Sequence, residues 1–204
     1  VLSMVLQLTV PAWAQQTGIP MRDEPRHVAK FENTWLRVVD LELPPGDTTL
    51  FHEHTFDIVT VVIQGADLTN QLLTGEPTKA PAATGRVAYS AYARKAYTHR
   101  VSNVGAVPFR IIGIELVAAQ REGTASAAPH SPPYQLVLDN DRVRAWRLAL
   151  EPGQSITSAQ ILASVRVVEH GGRVLERVQE KPEQTIELKA GDAHWQPANL
   201  VRSL

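Results

Sequence analysis

Apolar positions in this chain come in short β-branched runs rather than at helical spacing. WLRVVDLEL (35–43), FDIVTVVI (56–63), FRIIGIELV (109–117), RVRAWRLAL (142–150) and SVRVVEH (164–170) are dense in Val, Ile and Leu. Gly, Pro, Asn and Asp bound these runs at short intervals, the punctuation of strands joined by tight turns. No stretch carries an amphipathic helical period longer than two turns. The pattern predicts an all-β chain folded as a sandwich or barrel.

One segment breaks the pattern. AAQREGTASAAPHSPP (118–133) is built from Ala, Ser, Thr, Gly and Pro with little to bury, and reads as a linker. The sequences on its two sides repeat each other. FENTWLRVVDLELPPG (31–46) aligns without gaps on LDNDRVRAWRLALEPG (138–153), placing Asn33 on Asn140, Arg37 on Arg144 and Leu41 on Leu148. Leu43 falls on Leu150 and Pro45-Gly46 on Pro152-Gly153. A domain-sized repeat of this kind predicts a tandem pair of β domains rather than a solenoid. The expected division is a leader remnant at 1–14, an N-terminal domain at 15–118, a linker at 119–133 and a C-terminal domain at 134–204. The second copy runs out near Leu204 with its last strands short, so it is expected to be incomplete or to borrow a strand.

Composition narrows the partners. Of 204 residues 44% are hydrophobic and 20% charged, which suits a globular protein with a core. The net charge is -1 and the basic residues are scattered, so nucleic acid and anionic membranes are poor partners and a small molecule is the better expectation. There is no cysteine, so disulfides and thiolate metal sites are excluded and any ion must rest on His, Asp or Glu. The opening VLSMVLQLTVPAWAQQ is apolar and ends in Ala12-Trp13-Ala14 before Gln15-Gln16, the pattern of signal-peptide cleavage, although a basic start is missing. It predicts a periplasmic or secreted protein. That stretch is too short for a stop-transfer span, and no later one is long enough to cross a membrane.

The candidate chemistry lies in FHEHTFDIVTVVIQG (51–65). Residues i and i+2 of a strand share a face, so His52 and His54 project together and Glu53 turns away. That spacing lets two imidazoles reach one ion. His99 in YTHRVSNVG (97–105) opens another strand and is the candidate for a third. Tyr89, Tyr92, Arg94 and Tyr97 lie close by in sequence and are candidates for substrate contacts. The alternative is structural: buried imidazoles bonded to backbone or to these tyrosines, with no ion. His27, His130 and His170 have no partner pattern and read as solvated, and Glu32 and Glu42 as solvent-facing strand residues.

Gly46, then His52-Glu53-His54, then a strand closing at Gly65, resembles the first motif of the cupin superfamily, and His99 with Asn103 resembles the end of its second. With the strand from Phe109 to Val117, the likeness spans residues 31–117. It implies a jelly-roll (double-stranded β-helix) barrel with its ligands inside the mouth, and the repeat then implies a bicupin. The metal ligands carried over are His52, His54 and His99. The family's usual glutamate ligand falls on Ile58, and strict alternation turns neighbouring Asp57 to the other face. The turn before His99 also departs, because Arg94-Lys95-Ala96-Tyr97-Thr98 lacks the family's proline and glycine. In the second copy His52 and His54 correspond to Ala159 and Ile161, and the position expected for His99 holds Arg202. Gly191 to Pro197 keeps the glycine and proline of the second motif, with His194 and Trp195 between them. That domain is therefore expected to be degenerate and structural, covering a sheet or forming a homodimer interface.

Three functions follow from the likeness. The first is a metal-dependent enzyme of oxygenase, lyase or isomerase type acting on a small oxygen-rich or anionic molecule. A site of three imidazoles suits iron, nickel, copper or zinc, with manganese also admitted, better than calcium or magnesium. The second is a non-catalytic periplasmic module that binds a sugar or other small molecule. The third is a metal-free epimerase-like protein with a histidine base and a tyrosine acid.

Overall fold

The computed structural model describes residues 17–118, 134–156, 159–161, 163–179, 181–197 and 200–204. The expected leader at 1–14, the linker at 119–133 and His130 lie outside them. The all-β expectation holds: the helical content of the described residues is a 3-10 turn at Met21–Asp23. None of their helices is long and apolar enough to cross a membrane.

The N-terminal half is formed by β1 (Ile19–Pro20), β2 (His27–Glu32), β3 (Arg37–Leu43), β4 (His52–His54) and β5 (Asp57–Gln64). It continues with β6 (Leu68–Leu72), β7 (Thr78–Lys79), β8 (Val87–Ser90), β9 (Tyr97–Asn103) and β10 (Phe109–Leu116). Two five-stranded sheets result, ordered β1-β4-β9-β6-β7 and β2-β3-β10-β5-β8. β1 pairs with β4 in parallel and the other pairs are antiparallel.

β3 and β5 are buried nearly along their whole length, where a one-faced strand would alternate. The reason is that both faces are covered. Leu41, Leu43, Val62, Leu68 and Phe109 fill the inside of the barrel. Val38, Val59, Val61, Ile112 and Ile114 point the other way and meet Val165, Val167, Ala193 and Trp195 of the C-terminal half. Polar groups tie the same boundary. Arg110 forks onto Asp40 and donates to the Ala190 carbonyl, and the Arg147 guanidinium donates to the Gly85 carbonyl. At Gly191, φ is +86° and an added Cβ would run into the Arg110 guanidinium, so glycine is required for the turn and for the contact.

The C-terminal half contributes β11 (Tyr134–Asp139), β12 (Arg144–Leu148), β13 (Ala159–Ile161), β14 (Ser164–Val167), β15 (Gly172–Val178), β16 (Gln184–Leu188), β17 (Ala193–Gln196) and β18 (Leu200–Ser203). They form a β11-β12 pair, a β14-β17 pair and a sheet ordered β13-β18-β15-β16. The repeat extends to local geometry. Asn33 Oδ1 accepts from the amides of Trp35 and Leu36, and Asn140 Oδ1 accepts from those of Arg142 and Val143. Gly46 and Gly153 both have φ of +81°. His194 is exposed and Trp195 packs on the shared core, so neither lines the barrel of the first half.

Ile112 is wholly buried in the core shared by the two halves. Ile112→Ala should destabilise the protein by about 2–5 kcal/mol, read as a lower urea midpoint. An unchanged midpoint would mean that the interface contributes little to stability.

Candidate metal centre

Pro44-Pro45-Gly46 turns the chain out of β3, and Gly46 donates its amide to the Asn103 carbonyl at the far end of β9. Asn103 is buried and donates to the carbonyls of Leu43 and Val107 while accepting from Gly105, so it pins this turn. β4 then pairs antiparallel with β9, setting His52 opposite His99 and His54 opposite Tyr97. Directly opposed residues share a face, as do residues two apart, so the two rules together bring the three imidazoles to one spot. One nitrogen from each of His52, His54 and His99 lies within 4.8 Å of those of the other two.

Hydrogen bonds decide which nitrogen each ring offers. His52 Nδ1 donates to the Leu50 carbonyl at 2.9 Å, and His99 Nδ1 donates to Asn70 Oδ1 at 2.5 Å. Both rings are thereby left with a lone pair on Nε2. His54 Nε2 stands 3.1 Å from His99 Nε2, while His54 Nδ1 is buried with no partner among the described residues. Two nitrogens bound to one ion at about 2.1 Å and a right angle would lie about 3 Å apart. The His54–His99 spacing and the lone pairs on His52 and His99 fit a transition-metal ion.

The rings are also kept neutral, the state that can ligate. Burial, then repulsion from His27, lowers the His52 pKa to about 4. Burial and the neighbouring imidazoles lower His54 to about 2 and His99 to about 3.

Two further residues belong to this site, and one corrects the sequence reading. His27 is buried, not solvated, with its ring 4.6 Å from that of His52. Its Nδ1 bonds Glu24 Oε2 at 2.7 Å. Glu24 itself is 1% exposed, accepts from the amides of Arg26 and Leu50, and so steadies the residue whose carbonyl holds His52. Burial raises its pKa, but these bonds outweigh it and bring the value down to about 2. Nothing in GIPMRDEPRH (18–27) announced either residue, because a lone Glu-x-x-His has no period to read.

Asp57 does not join the histidines. It accepts from the Tyr89 hydroxyl at 2.7 Å, the Ala93 amide at 2.9 Å and Arg142 Nε at 3.0 Å. It therefore ties the segment after β8 to the C-terminal half. That segment carries Tyr92, whose ring lies 5.1 Å from His54 and stacks on Tyr97 at 5.0 Å. Tyr97 in turn lies 4.7 Å from His99 and its hydroxyl accepts from Asn70. Tyr92 and Tyr97 thus wall the cluster, Tyr89 serves Asp57, and Arg94 is exposed. The hydroxyls of Tyr89 and Tyr97 bond Asp57 and Asn70 rather than a histidine. In the C-terminal half, the pairing that mirrors His52 with His99 sets Ala159 against Arg202, neither of them an imidazole.

Against His27 lies a cavity of about 230 Å³, whose lining includes Arg22, Asp23, Glu32, Arg37 and Val39. Arg37 was legible in principle, since it is a charge on the β3 face that also carries Val39, Leu41 and Leu43.

No family model matches this chain, and no curated protein does. Among solved structures it is similar to the protein YhaK from Escherichia coli, at 16% identity and TM-score 0.53 over 94% of each chain. It is also similar to a salicylate 1,2-dioxygenase from Pseudaminobacter salicylatoxidans, at 13% identity and TM-score 0.54 over 87% of this chain and 72% of that one. A cupin domain from Bordetella pertussis covers 45% of this chain with 92% of its own, at 23% identity and TM-score 0.41. The likeness shows the fold, a cupin-type jelly roll.

The depressed histidine pKa values fix a pH dependence. The unfolded chain takes up protons near pH 6.5, the folded one only near pH 4 and below, so stability is full above pH 6.5 and falls as pH drops through that window. The slope should be about 1.4 kcal/mol per pH unit for each histidine that charges only on unfolding. Urea midpoints between pH 7.5 and 4.5 measure it, and His54→Gln should flatten the curve.

Proposed function

We propose that this cupin-fold protein holds one divalent transition-metal ion on His52, His54 and His99 and binds a small oxygen-rich or anionic molecule beside it. The observation that carries the reading is the convergence of three neutral imidazoles, two of which, His52 and His99, are held by hydrogen bonds that leave a lone pair on Nε2. Iron, nickel, copper and zinc all accept imidazole ligands, with manganese also admitted. When bound, such an ion orients and polarises an oxygen-bearing ligand at its open positions.

The chain's own groups prepare that site. Leu50 and Asn70 fix two ring tautomers, and Glu24 accepts the Leu50 amide. The stacked Tyr92 and Tyr97 keep water from one side of the cluster. Three imidazoles carry no charge, so a divalent ion there keeps its full positive charge for an anionic ligand. Metal analysis of purified protein should find about one transition-metal ion per chain. His52→Ala, His54→Ala and His99→Ala should each reduce it to background, and metal retained by all three variants would overturn the assignment.

One observation favours a second reading, a non-catalytic binding module. Asp57, the carboxylate adjacent to the family's ligand position, is fully occupied elsewhere and offers the site no acid or base. Turnover of any substrate in a small-molecule screen, lost in His99→Ala, would decide for the enzyme. The leader pattern at Ala12-Trp13-Ala14 supports a periplasmic or secreted address. Intact mass of the exported protein should then place its first residue at Gln15.

A further inference from the structure

We infer that the cavity beside the histidine cluster binds a small carboxylate on the guanidinium of Arg37, in exchange for Glu32. Arg37 is buried on the inner face of β3, and its two edges have different partners. Nη1 donates to Glu115 Oε2 at 2.7 Å, and the Glu115 side chain is 3% exposed. That acid is built into the fold. The other edge, Nε and Nη2, forks onto Glu32 Oε2 and Oε1 at 3.0 and 3.1 Å. Glu32 ends β2, at the edge of its sheet, and its side chain is 55% exposed.

The asymmetry matters energetically. An ion pair with one largely exposed partner is weak, so Glu32 is released to water at little loss. A ligand carboxylate that takes its place makes the same planar two-bond contact, which a guanidinium matches and an ammonium does not. At the guanidinium edge the exchange replaces one carboxylate by another, while Glu32 turns to water at the edge of the sheet. Both Arg37 and Glu32 line the cavity, whose volume is roughly that of seven or eight water molecules. His27 lines it too, and its ring lies 4.6 Å from that of His52, so a carboxylate on Arg37 lies near the ring that abuts the proposed metal ligands. The inference rests on the reading of the barrel as a small-molecule site and narrows its ligand to carboxylic acids. It does not need the metal.

The test is a titration of metal-stripped full-length protein with benzoate and, as the neutral control, benzamide, followed by calorimetry or by chemical shifts. Benzoate should bind at millimolar concentration and benzamide should not. Glu32→Gln, a change at an exposed position, should tighten benzoate about two- to five-fold, the equivalent of a surface ion pair removed. Arg37→Lys, which keeps a charge toward Glu115, should weaken it about ten-fold or more. Equal binding of acid and amide, or no benzoate binding by both the native protein and Glu32→Gln, overturns the inference. His54→Ala separates the two proposals. It should lose metal yet bind benzoate as the native protein does, so the carboxylate site and the metal site can fail independently.

Discussion

Antiparallel pairing of β4 with β9 sets His52 against His99 inside a barrel that excludes water, and the site follows from that placement. The pairing puts two rings on one face, the two-residue period adds His54, and desolvation holds all three rings in the uncharged form. A register slip of one residue would turn Glu53 inward and both histidines out. Several polar groups oppose such a slip. Asn103 ties the turn after β3 to the end of β9, and Asn70 bridges β6 to His99 and Tyr97.

A second constraint acts from outside the barrel. β3, β5 and β10 present apolar residues on both faces, and the C-terminal half covers the outward one. Asp57 stands where the two demands meet. One carboxylate receives Arg142 from the second half and Ala93 from the segment that lays Tyr92 over His54. Asp57 thus braces the wall of the histidine cluster against the C-terminal half.

How much of this the sequence disclosed depends on whether a residue belonged to a pattern. His52 and His54 share a strand whose glycine-framed run is visible, and His99 lies at a recognisable distance from Asn103, so the cluster could be read from one chain. The repeat was legible for the same reason, down to the matching turns at Asn33 and Asn140. Glu24 and His27 were not, because their effect arises from a short 3-10 turn folding back on β4, a contact with no local signature. Nor did the run in β3 disclose Arg37's partners, since Glu32 comes from the neighbouring strand and Glu115 from the far end of the half.

The equivalence of two backbone pairings, His52 with His99 and Ala159 with Arg202, shows that the frame and its furnishings can part company. The C-terminal half repeats the order of one sheet, β13-β18-β15-β16 for β4-β9-β6-β7, while its apolar residues Val165, Val167 and Ala193 pack on the outer face of the first half. Packing against the first half demands apolar side chains at those positions whether or not a site lies behind them, so cover and chemistry are separate demands on one fold.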